Sequence, residues 1–226
     1  MNSANREILP VNKSREKVKK YYDSISRVYD LFAGIFEEKY LDRGLKLLDI
    51  KGDEAVLEIG FGTGHSLKRM ARSVGRATGI YGIDISEGML EVSSKKLEKA
   101  SLDDKVELIC GDVLDISLPE NKFDCVFMSF TLELFDSPEI PKVLNKVKKI
   151  LKPGGRLLLI SMSKENGNSL MLMIYEWIHK NFPRIADCRP IYAEQALKDA
   201  GLGIYYREKV KFFGLPVGII IGINYT

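Results

Sequence analysis

The stretch AVLEIGFGTGHS, residues 55–66, decides the fold of this 226-residue chain. It opens with a mostly apolar run typical of a buried strand, and glycine then recurs at every second position, as Gly60, Gly62 and Gly64. Glycines in a strand-to-helix turn let the backbone approach a ligand that any Cβ would push away. The stretch therefore predicts a ligand-binding turn after the first strand of an open α/β sheet.

The glycine spacing argues against two common phosphate-binding motifs. A P-loop ends in Gly-Lys followed by Ser or Thr, and no such sequence follows Gly64. A dinucleotide fingerprint needs a small residue at the position of His65, where the helix packs closely on the strand. The G-x-G-x-G pattern thus indicates another kind of ligand.

Strand and helix patterns alternate after this turn. Strands are predicted at 55–60, 78–84, 105–110, 123–130 and 155–161, and helices at 65–74, 86–100, 138–150 and 192–200. Two strand-like runs, IYYREKVKFFG and PVGIIIGINY, close the chain as a hairpin. We predict a Rossmann-like, doubly wound α/β fold with a seven-stranded sheet, mostly parallel with an antiparallel C-terminal strand.

Two helical segments complete the predicted organisation. Residues 1–50 form a helical N-terminal cap or lid, as two helices broken near Gly34, and residues 51–226 form the main domain. Within the latter, residues 168–191 are expected to be an inserted lid helix. The break before the strand at 155–161 is assigned to LKPGGR, whose proline and glycines predict a turn.

Composition narrows the class of protein. The 34 basic and 31 acidic residues give a net charge of +3, which neither demands a nucleic-acid partner nor excludes an anionic membrane surface. Cys110, Cys125 and Cys188 are odd in number and far apart, which favours reduced cysteines. The chain shows neither a signal-peptide pattern nor a membrane-spanning apolar run. We therefore expect a soluble, cytoplasmic protein.

Four motifs carry a resemblance to a known family. VLEIGFGTG (56–64), GIDIS (82–86), CGDVLDISLPENKFDCVFMSF (110–130) and LKPGGRLLLI (151–160) resemble the successive motifs of class I S-adenosylmethionine-dependent methyltransferases. In addition, YYDSISRVYD (21–30) and FPRIADCRPI (182–191) are similar to segments of the ubiquinone/menaquinone-biosynthesis C-methyltransferases. The resemblance implies S-adenosylmethionine as cofactor and S-adenosylhomocysteine as product.

The resemblance also implies cofactor contacts in the first two motifs. The backbone at Gly60 and Gly62 would meet the methionine moiety, and Glu58 would lie near its ammonium group. Asp84, at the end of the second strand, would accept hydrogen bonds from both ribose hydroxyls. Ile85 would pack on the adenine. An alternative role for Asp84 is an ordinary helix or loop cap.

The later motifs supply the rest of the implied cofactor site. Asp112 would accept from the adenine amino group, unless it is a cap, and the Val113 backbone N–H would meet a ring nitrogen. Ser129 and Phe130 end the fourth strand, where the methyl-bearing sulfonium would point. The remaining candidates are Tyr22, Tyr29, Phe61, Gly64 and Met89. The two tyrosines share one helical face and suit packing equally well.

Methyl transfer from a sulfonium is an in-line displacement, so the protein chiefly supplies alignment, exclusion of water and, where needed, a base. No metal is expected, since the chain lacks a zinc-type ligand spacing. Glu133, His65 and His179 are the candidate bases. Each has a simpler alternative, as a loop cap, a helix cap and a surface residue respectively.

The inserted segment, NSLMLMIYEWIHKNFP, indicates what kind of molecule accepts the methyl group. Its methionines and aromatic residues predict a lid over a small hydrophobic acceptor, such as a quinol, an isoprenoid or a lipid-like molecule, and are compatible with peripheral membrane contact. The alternative is a helix that buries its own face on the sheet. Glu133 and Leu134 replace the Arg-Asn pair of the quinone enzymes, which leaves C-, O- and N-methylation open.

The sequence also bears on three functions other than methylation of a small acceptor. Nucleic-acid methylation is not expected, because MSFTLELF lacks the proline-containing turn of enzymes that methylate base amines. A nicotinamide-dependent oxidoreductase would share the sheet and Asp84 but not the position of Gly64. A non-catalytic S-adenosylmethionine-binding protein would share every cofactor residue. The sequence carries no signal for an oligomeric state.

Overall fold

The computed structural model describes residues 8, 15–32, 34–73, 79–164, 170–181, 188–212 and 214–226. Its strands are β1 (Ala55–Ile59), β2 (Gly79–Asp84), β3 (Val106–Cys110), β4 (Phe123–Ser129), β5 (Leu151–Met162), β6 (Gly203–Phe212) and β7 (Leu215–Ile223). Its helices are α1 (Arg15–Phe32), α2 (Gly34–Leu48), α3 (His65–Ser73), α4 (Glu87–Glu98), α5 (Ile140–Ile150), α6 (Leu170–Asn181) and α7 (Ala193–Asp199).

The strands form a single seven-stranded sheet in the order β3-β2-β1-β4-β5-β7-β6. Strands β1 to β5 pair in parallel, and β7 runs antiparallel to both β5 and β6. The predicted α/β fold, mostly parallel with an antiparallel C-terminal strand, is confirmed. The strand order reverses at β1 and β4, so a crevice opens beyond their carboxyl ends.

Apolar residues cover both faces of the sheet. Adjacent residues Val56 and Leu57 of β1 are both buried, yet they belong to two different apolar clusters, because successive side chains point to opposite faces. One cluster packs α5 and α7 on the sheet, and the other packs α2, α3 and α4. Leu48 of α2 joins the second cluster, so the N-terminal cap covers part of this face.

The helix boundaries follow local signals. Helices α1 and α2 lie on either side of residue 33, as predicted for a break near Gly34. Ser86 caps α4, its Oγ accepting a hydrogen bond from the Met89 backbone N–H at 3.1 Å. Among the described residues, none of the helices has the combined length and apolar character of a membrane-spanning segment.

The segment LKPGGR does not form the simple turn predicted for it, but lies at the start of β5. Strand β5 begins at Leu151, which pairs with Phe123, and the next paired residue is Arg156, opposite Cys125. The residues between them bulge out of the ladder, with Gly154 at φ +78°. The bulge is held by Asn224, whose backbone N–H donates to the Gly155 carbonyl at 2.9 Å.

Candidate functional site

The three glycines after β1 serve different purposes. All have positive φ, at 76° for Gly60, 53° for Gly62 and 76° for Gly64. A Cβ on Gly60 would lie 2.4 Å from the Thr131 side chain, and one on Gly64 would lie 2.2 Å from Ser93 Oγ. A Cβ on Gly62 would have no described neighbour within 4 Å. Gly60 and Gly64 thus permit close packing, and Gly62 borders open space.

That open space is a cavity of about 330 Å³ at the carboxyl ends of the parallel strands. The predicted cofactor-site residues on its wall are Tyr22, Glu58, Gly60, Phe61, Gly62, Asp84, Ile85, Met89, Asp112, Val113, Ser129 and Phe130. Gly64 is not among the lining residues, because it packs against α4 instead. The side chain of Tyr29 lies outside the described residues.

Glu58, near the end of β1, presents a buried carboxyl group to the cavity. The residue is 2% exposed, and its Oε1 accepts a hydrogen bond from Ser66 Oγ. Its Oε2 has no hydrogen-bond partner among the described residues. Burial raises the pKa of Glu58 to about 8, and the nearby Asp84 adds to this, against the opposing hydrogen bond from Ser66. A bound cation would supply the missing partner.

Asp84, at the end of β2, connects the glycine turn to α4. Its Oδ2 accepts from the Gly62 backbone N–H at 2.8 Å, and its Oδ1 accepts from the Ser86 backbone N–H at 2.9 Å. Burial raises the pKa of Asp84, although these backbone hydrogen bonds oppose the shift. A carboxylate oxygen can accept more than one hydrogen bond, so these backbone contacts leave Asp84 free to accept another from a ligand hydroxyl.

Asp112, which follows β3, is held by an arginine that no sequence motif identifies. Its Oδ1 accepts from the Leu114 backbone N–H at 2.8 Å, and its Oδ2 accepts from Arg15 Nη1 at 2.7 Å. Arg15 Nε also donates to Glu139 Oε1 at 2.9 Å. Arg15 itself lines the cavity, so α1 contributes a cation to this wall.

Helix α1 borders the cavity and is attached to the rest of the domain at a second point. Asp23 Oδ1 accepts from Ser86 Oγ at 2.6 Å and from the Gly88 backbone N–H at 3.0 Å, at the start of α4. Between the two attachments, Val18 and Tyr22 line the cavity. Helix α1 therefore supplies part of the cavity wall, and its role as a lid stays a prediction.

The residues that follow β4 form another part of the cavity wall. Phe130 lines it with φ +49°, a left-handed conformation that is costly for a bulky residue and is commonest at functional sites. Its backbone N–H donates to the Ile160 carbonyl at 2.8 Å, which keeps the turn tied to β5. Leu134 and Phe135 extend the same wall with apolar side chains. This end of the cavity suits an apolar ligand.

Two of the three candidate bases, Glu133 and His179, are not among the residues that line the cavity. Glu133 is fully buried behind the wall, where its Oε1 accepts from the Met162 backbone N–H at 3.1 Å. His179, predicted as either a base or a surface residue, is 2% exposed within α6 and does not line the cavity. His65, at the start of α3, does line it.

Comparison with known proteins identifies the class. Residues 56–155 match the family described as Methyltransferase domain. A solved S-adenosylmethionine-dependent methyltransferase from Aquifex aeolicus is 26% identical and superposes with a TM-score of 0.62, covering 93% of this chain and 100% of that one. The cyclase SpnF shares the fold, at 18% identity and a TM-score of 0.76, over 96% of this chain and 98% of its own. The chain belongs to the class I S-adenosylmethionine-dependent methyltransferases.

Within this class, the chain is similar to quinone-biosynthesis enzymes. Demethylmenaquinone methyltransferase from Listeria welshimeri is 34% identical over 155 residues, which cover 67% of this chain. The alignment spans 64% of that relative, slightly less than two thirds of its length. The similarity agrees with the resemblance carried by YYDSISRVYD and FPRIADCRPI.

Proposed function

We propose that this protein transfers a methyl group from S-adenosylmethionine to a small hydrophobic acceptor of the quinol, isoprenoid or lipid-like class. The observation that carries the proposal is the buried carboxyl group of Glu58, a residue that lines the cavity and whose Oε2 has no hydrogen-bond partner among the described residues. A buried polar atom of this kind is costly unless a ligand satisfies it. The ammonium group of the cofactor is a suitable partner.

The remaining cofactor contacts in this proposal follow the strand ends. Asp84 would accept from the ribose hydroxyls while it holds the Gly62 backbone N–H. Asp112 would accept from the adenine amino group, sharing its carboxylate with Arg15. The bare backbone at Gly62 would allow close approach of the methionine moiety. Bound at these residues, S-adenosylmethionine would supply an activated methyl group.

The chain's own part in the reaction is alignment and exclusion of water. Tyr22 on α1 and Phe130, Leu134 and Phe135 on the β4 side would enclose the acceptor between apolar walls. His65 is the candidate base on the cavity wall for an acceptor that must lose a proton. Glu133 has no part in this proposal, because it is committed to the β5 backbone.

The hydrophobic nature of the acceptor is supported from two directions. The β4 side of the cavity presents the apolar side chains of Phe130, Leu134 and Phe135, and the similar protein from Listeria welshimeri is named for a quinone substrate. The outer face of α6 adds to this, with Met173, Ile174 and Trp177 exposed by 54%, 46% and 59%. We propose that this face makes peripheral contact with a membrane in which such acceptors dissolve.

The experiment that tests the proposal combines binding and turnover. Calorimetric titration with S-adenosylhomocysteine is expected to show binding, and titration with NADH is expected to show none. Incubation with S-adenosylmethionine and a short-chain demethylmenaquinol should yield a product heavier by one methylene unit by mass spectrometry. Glu58→Gln should weaken S-adenosylhomocysteine binding by about ten-fold or more, the effect of leaving a charged hydrogen bond unmade.

The control for this experiment is Asp104→Asn, which changes an exposed acid away from the cavity and should leave binding unchanged. Binding of NADH in place of S-adenosylhomocysteine would favour an oxidoreductase. Binding of S-adenosylhomocysteine without turnover of quinol, isoprenoid or lipid-like acceptors would favour a non-catalytic binding protein. Either result would contradict the proposed activity.

A further inference from the structure

Arg189 is a fully buried arginine, 0% exposed, in the segment between α6 and α7. Its Nε donates to the Glu133 carbonyl at 3.2 Å, and its Nη2 donates to the Phe135 carbonyl. Its Nη1 donates to Ser137 Oγ at 3.1 Å. All three nitrogens of the guanidinium group are therefore directed at one stretch of chain, residues 133–137.

That stretch belongs to the loop between β4 and α5, defined here as the wall loop, residues 131–139. Thr131, Leu134 and Phe135 of the wall loop line the cavity. Its backbone forms short-range turns, in which the Leu134 N–H donates to the Thr131 carbonyl at 3.0 Å and the Phe135 N–H to the Leu132 carbonyl at 3.3 Å. The contacts from Arg189 add long-range hydrogen bonds to carbonyls of this loop.

The Arg189 backbone region is itself firmly placed. The preceding residue, Cys188, accepts a hydrogen bond at its carbonyl from the Tyr175 hydroxyl of α6 at 3.0 Å. Two residues further on, the Ile191 backbone N–H donates to the Met162 carbonyl of β5 at 3.1 Å. Arg189 thus projects from a segment anchored to both α6 and β5.

A buried cation needs several hydrogen bonds to offset its lost hydration. Burial lowers the pKa of Arg189, while Asp136 and Glu133 act in the opposite direction. The planar, five-donor guanidinium reaches two carbonyls and a hydroxyl at once, which the single ammonium of a lysine does not reproduce. The contact is therefore specific to arginine through the planar shape and the several donors of its side chain.

We propose that Arg189 is a positioning residue that holds the wall loop in place as the acceptor-facing wall of the cavity. The acceptor part of this inference rests on the proposed function, and the loop part does not. The cofactor contacts at Glu58, Asp84 and Asp112 lie on other strand ends. Loss of Arg189 should therefore change acceptor use and loop order while cofactor affinity is retained.

The test compares Arg189→Lys with Arg156→Lys, a matched variant of another arginine within the fold. Arg156 donates to the Leu48 carbonyl and to Glu54, and does not line the cavity. Hydrogen exchange followed by mass spectrometry would measure the backbone amides of Leu134 and Phe135. Calorimetry would measure S-adenosylhomocysteine affinity, and assays with a short-chain demethylmenaquinol would give kcat and KM.

For Arg189→Lys we expect wall-loop amides to exchange about ten-fold faster and the acceptor KM to rise about ten-fold, the effect of one lost charged hydrogen bond. The affinity for S-adenosylhomocysteine should stay within about two-fold of the parent protein. Arg156→Lys should leave both wall-loop exchange and acceptor KM unchanged. A KM effect separate from cofactor affinity is not expected of a purely structural residue.

Unchanged wall-loop exchange in Arg189→Lys would overturn the inference, as would equal effects from the two lysine variants. Failure of Arg189→Lys to fold would also overturn it, since the residue would then support the whole core. If the parent protein turns over no acceptor, the proposed function fails, and hydrogen exchange still decides whether Arg189 orders the wall loop.

Discussion

Glu58 lies on the cavity wall beside Asp84, and its surroundings disfavour its ionised form. Burial raises its pKa to about 8, so the group is largely protonated near neutral pH when no ligand is bound. A bound ammonium group favours the ionised form instead. Cofactor binding at this residue is therefore expected to release a proton.

The affinity for S-adenosylhomocysteine should consequently rise with pH. Between pH 6 and pH 7 the ionised fraction of Glu58 increases by about ten-fold, and the dissociation constant should fall by up to the same factor. Calorimetry at both pH values, in buffers of different ionisation enthalpy, would measure the affinity and the protons released. Glu58→Gln should abolish most of the slope, and Asp104→Asn should retain it. An equal slope in Glu58→Gln would count against the assignment.

The stability of the ligand-free protein should change in the opposite direction with pH. The folded-state pKa of Glu58 lies above its ordinary value, so the folded state binds this proton more tightly than the unfolded state does. Protonated Glu58 stabilises the folded state fully below about pH 4.5. This contribution to the free energy of unfolding, on the order of a few kcal/mol, is lost as pH rises through about 8. Urea unfolding at pH 5.5 and pH 8 would measure this loss, which Glu58→Gln should reduce. A loss of equal size in Glu58→Gln would assign it to other groups.

Residues at strand ends are easier to place on the cavity from the sequence than residues in loops. Glu58 and Asp84 end up on the cavity because parallel strands bring their carboxyl ends to one edge of the sheet. Glu133 does not, because the left-handed turn at Phe130 leads into a tight loop that directs the Glu133 carboxyl to β5. The direction of a side chain after such a turn depends on contacts that no local pattern encodes.

At the scale of elements, α1 is attached to the main domain by polar contacts at two points. Asp23 binds the start of α4, and Arg15 binds Asp112 and Glu139. The helix follows from the periodicity of its apolar residues, but these attachments do not, since Arg15 and Asp112 are 97 residues apart. Long-range pairs of this kind are outside the reach of local sequence patterns.

Removal of the Asp23 attachment should loosen α1. Asp23→Ala leaves Ser86 Oγ and the Gly88 N–H without this acceptor, which should cost about 1 kcal/mol of folding free energy. Dissociation of S-adenosylhomocysteine should also become faster, because the lid opens more readily. Urea unfolding and stopped-flow displacement would measure the two effects. Lys17→Ala, an exposed change on the same helix, should produce neither, and an equal effect there would contradict the account.

Helix α6 presents an apolar outer face while its inner face packs on the domain through Leu172. Trp177→Ser should reduce binding to phospholipid vesicles by about ten-fold, since it removes a large exposed apolar group. Vesicle flotation would measure the bound fraction. Tyr205→Ser, which alters an exposed aromatic residue on β6, should leave binding unchanged. Equal binding by the parent and Trp177→Ser would exclude this face as the membrane contact.

At the scale of the whole molecule, the alternation of strands and helices predicts the parallel part of the sheet, and the two strand-like runs at the C-terminus predict its antiparallel end. The reversal of strand order at β1 and β4 then places the glycine turn, Glu58 and Asp84 around one crevice. The sequence around Gly154 predicts a simple turn and not a bulge, because the contacts that form the bulge, with β4 and with Asn224, come from distant parts of the chain. The identity of the methyl acceptor is not predictable from local sequence either, because the side chains that surround it come together only in the folded chain.

The most direct test of the account is a crystal structure of the protein with S-adenosylhomocysteine. We predict that the amino group of the ligand lies within hydrogen-bond distance of Glu58 Oε2 and that the ribose hydroxyls lie on the Asp84 carboxylate. Binding elsewhere on the surface, or a cavity that takes up no S-adenosylhomocysteine at millimolar concentration, would contradict it.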